Sequence, residues 1–274
     1  MQNNEFVFLK LGGSLITNKN RPHTSRRKVL ADLAQEIYRA KCDHPDMRLL
    51  IGHGSGSFGH IPAKKHHTRE GVYSPDQWSG FVEVWRQART LNEIVIEALQ
   101  TAHLPVMAFP PSALVYAADG KVSSWDLSPL QAALKVGLVP VINGDVIFDS
   151  VRSGTILSTE ELFSYLQPIL HPTHILLAGL EKGVWSDFPC RTKIISEITP
   201  LNYDQILSSL KNSAAIDVTG GMLGKVSSML KLVEADPQLN VLIFSGLESD
   251  LLYRSLCNEK PGTYIHNQLQ GGNP

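Results

Sequence analysis

The sequence predicts an α/β layered fold. Short apolar runs of strand length alternate with stretches whose apolar residues recur at helical spacing. Two of the earliest strands run straight into glycines, Gly12-Gly13 and the Gly52–Gly59 stretch. Open α/β sheets bind their ligands beyond the carboxyl ends of the strands, so these corners are also the first place to look for function. The chain has 274 residues, 43% of them hydrophobic and 19% charged, enough to bury a substantial core as one large or two modest domains.

The first strand spans Glu5 to Leu11 and ends in Lys10-Leu11-Gly12-Gly13-Ser14, followed by a polar loop with Lys19. Ser25 to Lys41 reads as a helix, with Val29, Leu33, Ile37 and Ala40 on one face and Ser25 as its cap. Met47 to Gly52 is a second strand, leading into the loop Gly52 to His60, which carries glycines at 52, 54, 56 and 59. Pro75 to His103 is a long helix, Leu104 to Phe109 a strand, and Ala113 to Ser123 a hairpin turning at Asp119-Gly120. Ser128 to Val136 is helical, Leu138 to Asn143 a strand, and Val146 to Leu157 a second hairpin. Ser158 and Glu161 form a capping box that opens a helix to Leu170. Strands at His174–Ala178, Asn240–Ser245 and Gly262–His266 alternate with helices at Asn202–Lys211 and Glu248–Cys257. The third glycine corner, Asp217 to Gly221, is expected just ahead of another helix, which places Lys225 in that helix's first turn.

The net charge of −1 gives no reason to expect nucleic acid or an anionic membrane as partner. Three scattered cysteines suit a reducing cytoplasm, and neither a signal peptide nor a bilayer-spanning run is expected.

Glycines let backbone N–H groups approach an anion closely, and several such corners with lysines beside them point to phosphate. Lys10 ends an otherwise apolar strand, where a buried ammonium needs a partner. A phosphate would supply one, although a lysine snorkelling at a strand end would look the same. Lys225, with Gly220 and Gly221, could share an anion at a helix start, or it could be a solvated lysine. His60 closes the second loop and could donate to a phosphate while neutral, whereas a lone histidine is more often structural. His53, His66 and His67 have no evident task. Gly54, Gly56 and Gly59 also spell the dinucleotide fingerprint G-x-G-x-x-G, but the acidic residue that should end the next strand is missing. No Walker A loop occurs.

Taken together, Lys10-Leu-Gly-Gly-Ser14 with Lys19, the loop Gly52 to His60, Asn143-Gly-Asp145, the helix start at Ser158, and Asp217-Val-Thr-Gly-Gly-Met222 with Lys225 resemble the amino acid kinase superfamily. Within it they resemble the isopentenyl phosphate kinase family, whose glycine loop ends in a histidine, as here in His60. The resemblance implies a three-layer αβα sandwich with a mostly parallel open central sheet. It implies an acceptor-phosphate lobe of about residues 1–170, a nucleotide lobe of about 171–274, a homodimer, and a cytoplasmic enzyme.

The implied reaction is ATP-dependent phosphorylation of isopentenyl phosphate, with Mg²⁺ held mainly by ATP phosphates and water. Lys10, Gly12, Gly13, Ser14, Gly56, Leu180, Gly220, Gly221 and Lys225 would bind ATP. Gly54, Ser55, Gly59, His60, Asp145, Ser158, Thr159, Val84 and Gln87 would bind the acceptor, and one or two of Phe81, Val84, Trp85 and Ala88 on the long helix would line an apolar tunnel for its tail. Lys19 would stabilise the transferring group. Glu160 stands where many relatives have Asp and would orient the lysines. The loop Gly179 to Val184 departs from the family's usual Thr-Asp-Val-Asp-Gly-Val. Alternatives are a kinase for another small monophosphate or phosphonate, and a non-catalytic nucleotide sensor on the same fold.

Overall fold

The computed structural model describes residues 5–18, 21–212 and 216–267. The central sheet contains β1 (Phe6–Leu11), β2 (Arg48–His53), β3 (Val106–Ala108), β6 (Val139–Asn143), β9 (His174–Gly179), β12 (Glu197–Ile198), β13 (Asn240–Ser245) and β14 (Thr263–Ile265). Their order is β12-β14-β13-β9-β1-β2-β6-β3, and every pairing is parallel except β13 with β14. A smaller sheet, β5-β4-β7-β8, joins the two expected hairpins: β4 (Val115–Ala118) with β5 (Lys121–Trp125), and β7 (Asp145–Asp149) with β8 (Ser153–Leu157). A two-stranded ribbon pairs β10 (Val184–Trp185) with β11 (Ile194–Ile195).

The period of two along each strand sends alternate side chains into two separate cores. Phe6, Phe8, Leu50, Ile175, Leu177 and Ile243 belong to one. Val7, Leu9, Leu11, Leu49, Ile51, Leu176 and Phe244 belong to the other. The first core is covered by α6 (Ser128–Lys135), α7 (Thr159–Leu170) and α9 (Ile216–Ala235), and the second by α2 (Arg27–Asp43), α4 (Pro75–Thr101) and α10 (Leu251–Leu256). The result is the expected three-layer sandwich. The remaining helices are α1 (Gly13–Ile16), α3 (Gly56–His66), α5 (Pro111–Leu114) and α8 (Tyr203–Asn212). Among the described residues, no helix is long and apolar enough to cross a membrane.

Three local expectations are corrected. Helix α2 starts at Arg27 with Arg26 at its N-cap and no side-chain cap; Ser25 lies one residue further out, in an isolated backbone bridge with Thr17. The glycine loop ends sooner than expected, at Gly56, and His60 lies inside α3. Residues Asp217 to Gly221 do not precede a helix but lie within α9, which puts Lys225 in the third turn. Glycines cost a helix roughly 1 kcal/mol each relative to alanine. Burial of Val226, Met229, Leu230 and Val233 against the sheet offsets that cost. The dipole argument for Lys225 therefore lapses.

The chain turns outward from β1 to β2 and, on the other side, from β9 to β13, so the order reverses between β1 and β9. That is the switch point at which α/β sheets open a crevice. The Gly12 N–H donates to Ala178 O at 2.9 Å across it. The two glycine corners meet here backbone to backbone. A Cβ on Gly13 would lie 2.5 Å from Gly56 N and 2.8 Å from Gly56 Cα, and Gly56 itself has φ +48°. The Thr17 hydroxyl fixes the junction: it donates to Gly13 O at 2.7 Å and accepts from the Ser57 N–H at 3.0 Å. Gly13→Ala is expected to destabilise the fold by about 1–3 kcal/mol, because backbone has to move to admit the methyl group. A urea midpoint equal to wild type would contradict this contact.

Candidate active site

A cavity of about 1080 Å³ opens at the switch point. Alternation along β1 puts Lys10 on the same face as Phe6 and Phe8, beneath α7 and α9. Glu160, in the first turn of α7, forms an ion pair with Lys10, and its Oε1 is 3.8 Å from the Lys225 Nζ. Burial pushes the Glu160 pKa up, but the two ammonium groups outweigh it and hold the carboxyl below its ordinary value. Lys10 thus has a protein partner, which answers the cost of burying it without a ligand. Two lysines sharing one carboxylate leave this three-residue cluster net positive.

Around this centre the cavity is walled by Gly12, Gly13 and Ser14 from the first corner, and by Gly54, Ser55, Gly56, Gly59 and His60 from the second. Gly59 is needed for closeness: a Cβ there would lie 2.3 Å from the Ser55 Oγ. His60 is exposed, at the edge of the cavity. Asp145, Ser158 and Thr159 close the near wall. The capping box predicted for α7 is present, with Ser158 Oγ accepting from the Glu161 N–H and Glu161 Oε2 from the Ser158 N–H. The Thr159 hydroxyl donates to His53 O at 2.7 Å, tying the start of α7 to the end of β2. Asp145 is buried, and its carboxylate accepts from the N–H groups of Val146 at 2.9 Å and Ser112 at 3.3 Å and from the Ser112 hydroxyl. Burial dominates and pushes its pKa up to about 6, against those hydrogen bonds.

One end of the cavity is apolar. Val84 and Ala88 on α4, Ala63 on α3 and Ile156 on β8 line it, and Val84 belongs to a small separate core with Val72, Phe81 and Val146. Gln87 does not line the cavity; on a helix it sits about 100° from Ala88, turned off the face that does. The opposite end holds Leu180, as expected, with Gly221 and Lys225 from α9. Gly220 lies in α9, where its N–H falls in the helical ladder and not at a free helix end. Lys19 lies outside the described residues.

The residues missed from the sequence are at this same end. Trp185 and Phe188 line it, and the indole N–H of Trp185 donates to Glu181 Oε2 at 2.7 Å. Arg191 pairs with Glu181 at 3.2 Å and lies over the Phe188 ring. Their signal was two aromatics in the loop beyond Gly179-Leu-Glu-Lys-Gly-Val, where the family pattern is broken. Among the described residues, no three His, Cys, Asp or Glu side chains converge as a metal site.

The family model described as the amino acid kinase family matches residues 5–245. An isopentenyl phosphate kinase of Methanocaldococcus jannaschii is 34% identical over 265 residues, 94% of this chain and 98% of its own length. One from Methanothermobacter thermautotrophicus is 30% identical, with 97% of each chain covered. A crystal structure described as isopentenyl phosphate kinase superposes with a TM-score of 0.81 at 28% identity, covering 95% of this chain and 100% of that one. A Thermoplasma acidophilum isopentenyl phosphate kinase product complex gives 0.76 at 25% identity and the same coverage. The chain belongs to the amino acid kinase family, on its isopentenyl phosphate kinase branch.

Proposed function

We propose that this chain transfers the γ-phosphoryl group of ATP to isopentenyl phosphate, giving isopentenyl diphosphate and ADP. The observation that carries the reading is the single cavity in which a Lys10–Glu160–Lys225 cluster lies between a backbone N–H-rich corner and an apolar end. An oxygen of the acceptor phosphate attacks the γ-phosphorus, and the bond from that phosphorus to the β,γ-bridging oxygen breaks. A phosphate monoester has its second pKa near ~6, so the acceptor is already a dianion at neutral pH and needs no general base. Catalysis is then positioning and charge neutralisation.

In this reading Lys10, Lys225 and the N–H groups of the Gly12–Ser14 corner hold the nucleotide phosphates, and Lys19 meets the transferring group. His60, Ser55 and the start of α3 hold the acceptor phosphate, where the helix dipole favours an anion. Val84, Ala88 and Ile156 receive the isoprenoid tail. Trp185, Phe188 and Leu180 flank the nucleoside. The Glu160 carboxylate is engaged by lysines, so a Mg²⁺ ion would be held mainly by the ATP phosphates and water. It neutralises charge on the phosphates when bound. The division into acceptor and nucleotide lobes near residue 170, a homodimer and a cytoplasmic setting belong to the same proposal and rest on the family resemblance.

Steady-state assays with Mg·ATP test the reading. Isopentenyl phosphate is expected to exceed an unrelated phosphonate in kcat/KM, and His60→Ala is expected to raise the acceptor KM about tenfold or more with ATP affinity kept. Equal use of both acceptors would reject the assignment. Glu160→Gln is expected to lower kcat by about 10²-fold, since both lysines lose their shared anchor; unchanged kcat would remove Glu160 from the site. Asp145 gives a pH signature. Its folded pKa of about 6 lies above the ordinary 3.8, so its contribution to stability is fully present below 3.8 and is lost as pH rises through about 6. Urea midpoints should show that fall in wild type and a flatter profile in Asp145→Asn; parallel profiles would contradict the burial of that charge.

A further inference from the structure

His53 ends β2 and is fully buried, yet nothing in the reaction described above uses it. Alternation along β2 turns its ring away from the cavity, toward α4. There its Nε2 is 3.0 Å from Asn92 Oδ1, and its Nδ1 is 3.3 Å from the carbonyl oxygen of Gly54. The same residue's backbone oxygen accepts from the Thr159 hydroxyl and the Gly144 N–H, so the residue is held from three sides. Burial lowers the ring's pKa, and the Lys10 charge adds to this, against the Asn92 and Gly54 contacts. The ring is neutral at physiological pH and carries a single N–H.

A carbonyl can only accept, whereas a carboxamide can turn either its oxygen or its NH₂ toward the ring. Two buried lone pairs facing each other at Gly54 would be costly. The favourable arrangement is Nδ1–H donating to Gly54 O, with the Asn92 carboxamide turned over from its Oδ1-facing placement so that its NH₂ donates to Nε2. Gly54 C=O and Ser55 N–H belong to one peptide group, and in a trans peptide they point in opposite directions. Holding Gly54 O toward the buried ring turns the Ser55 N–H the other way, and Gly54 and Ser55 both line the cavity.

We infer that His53 is a positioning residue: as its Nδ1–H tautomer, backed by Asn92, it locks the Gly54–Ser55 peptide so that the Ser55 N–H faces the acceptor phosphate. The role rests on the proposed reaction for its substrate and on this chain's geometry for the lock.

Two substitutions separate the ring nitrogens. The amide nitrogen of asparagine occupies the position of Nδ1, and that of glutamine reaches the position of Nε2. His53→Asn is expected to keep the acceptor KM near wild type, and His53→Gln to raise it about tenfold or more, with the ATP KM unchanged in both. A purely structural histidine would respond in the stability of both variants without this split. Nitrogen-15 NMR of wild type should show Nδ1 protonated and Nε2 bare, a result that needs no variant to fold. The Nε2–H tautomer, or equal acceptor KM values in the two variants, would overturn the inference. Calorimetry with inorganic phosphate runs beside the assays. Failure of isopentenyl phosphate as acceptor would reject the reaction, while the order of phosphate affinities, His53→Asn above His53→Gln, would still decide the lock.

Discussion

The close approach of two glycine corners is the constraint on which the rest of the site depends. Gly13 and Gly56 pack with no room for a side chain between them, and the Thr17 hydroxyl holds both backbones at once. Because β1 and β2 are neighbours and parallel, their loops emerge at the same end of the sheet. The corners therefore converge without a long excursion of either loop. Backbone N–H groups brought together in this way form a fixed field for anions that needs no reorganisation when a ligand arrives.

On this floor the charges are arranged by sheet and helix geometry. Period-two alternation sends Lys10 under α7 and α9, and those helices supply Glu160 and Lys225. The carboxylate keeps two ammonium groups near each other when no phosphate is present, which would otherwise be opposed by their repulsion. Asp145 is a different case: its burial raises its pKa and costs stability at neutral pH. A fold that carries such a group in its cavity wall is bearing strain where its chemistry is done.

The layered architecture was legible because it rests on long periodic segments. The α4 pattern, the capping box at Ser158 and the hairpin at Asp119-Gly120 each depend on local chemistry that a sequence displays directly. Lys10, His60 and Lys225 could be named from motif and resemblance, and the structure brings all three to one cavity. What was not legible depended on tertiary packing. Gly220-Gly221 read as a break, yet the buried face of α9 carries the helix through them. Ser25 had the right chemistry for a cap but lies one residue outside the N-cap, in a backbone bridge with Thr17. Val84 and Ala88 were legible on the long helix and line the cavity, whereas Gln87, one residue off that face, does not. Trp185 and Phe188 join the site through a ribbon whose pairing partner lies about ten residues on, and no local signal announces that.

The apolar end of the cavity stands on its own small cluster, Val72, Phe81, Val84 and Val146, separate from the two cores that clasp the sheet. Substitutions among these side chains change the girth and depth of that end without removing a side chain from either of the two larger cores. The shape of the apolar end and the packing of the sheet are thus set by different side chains.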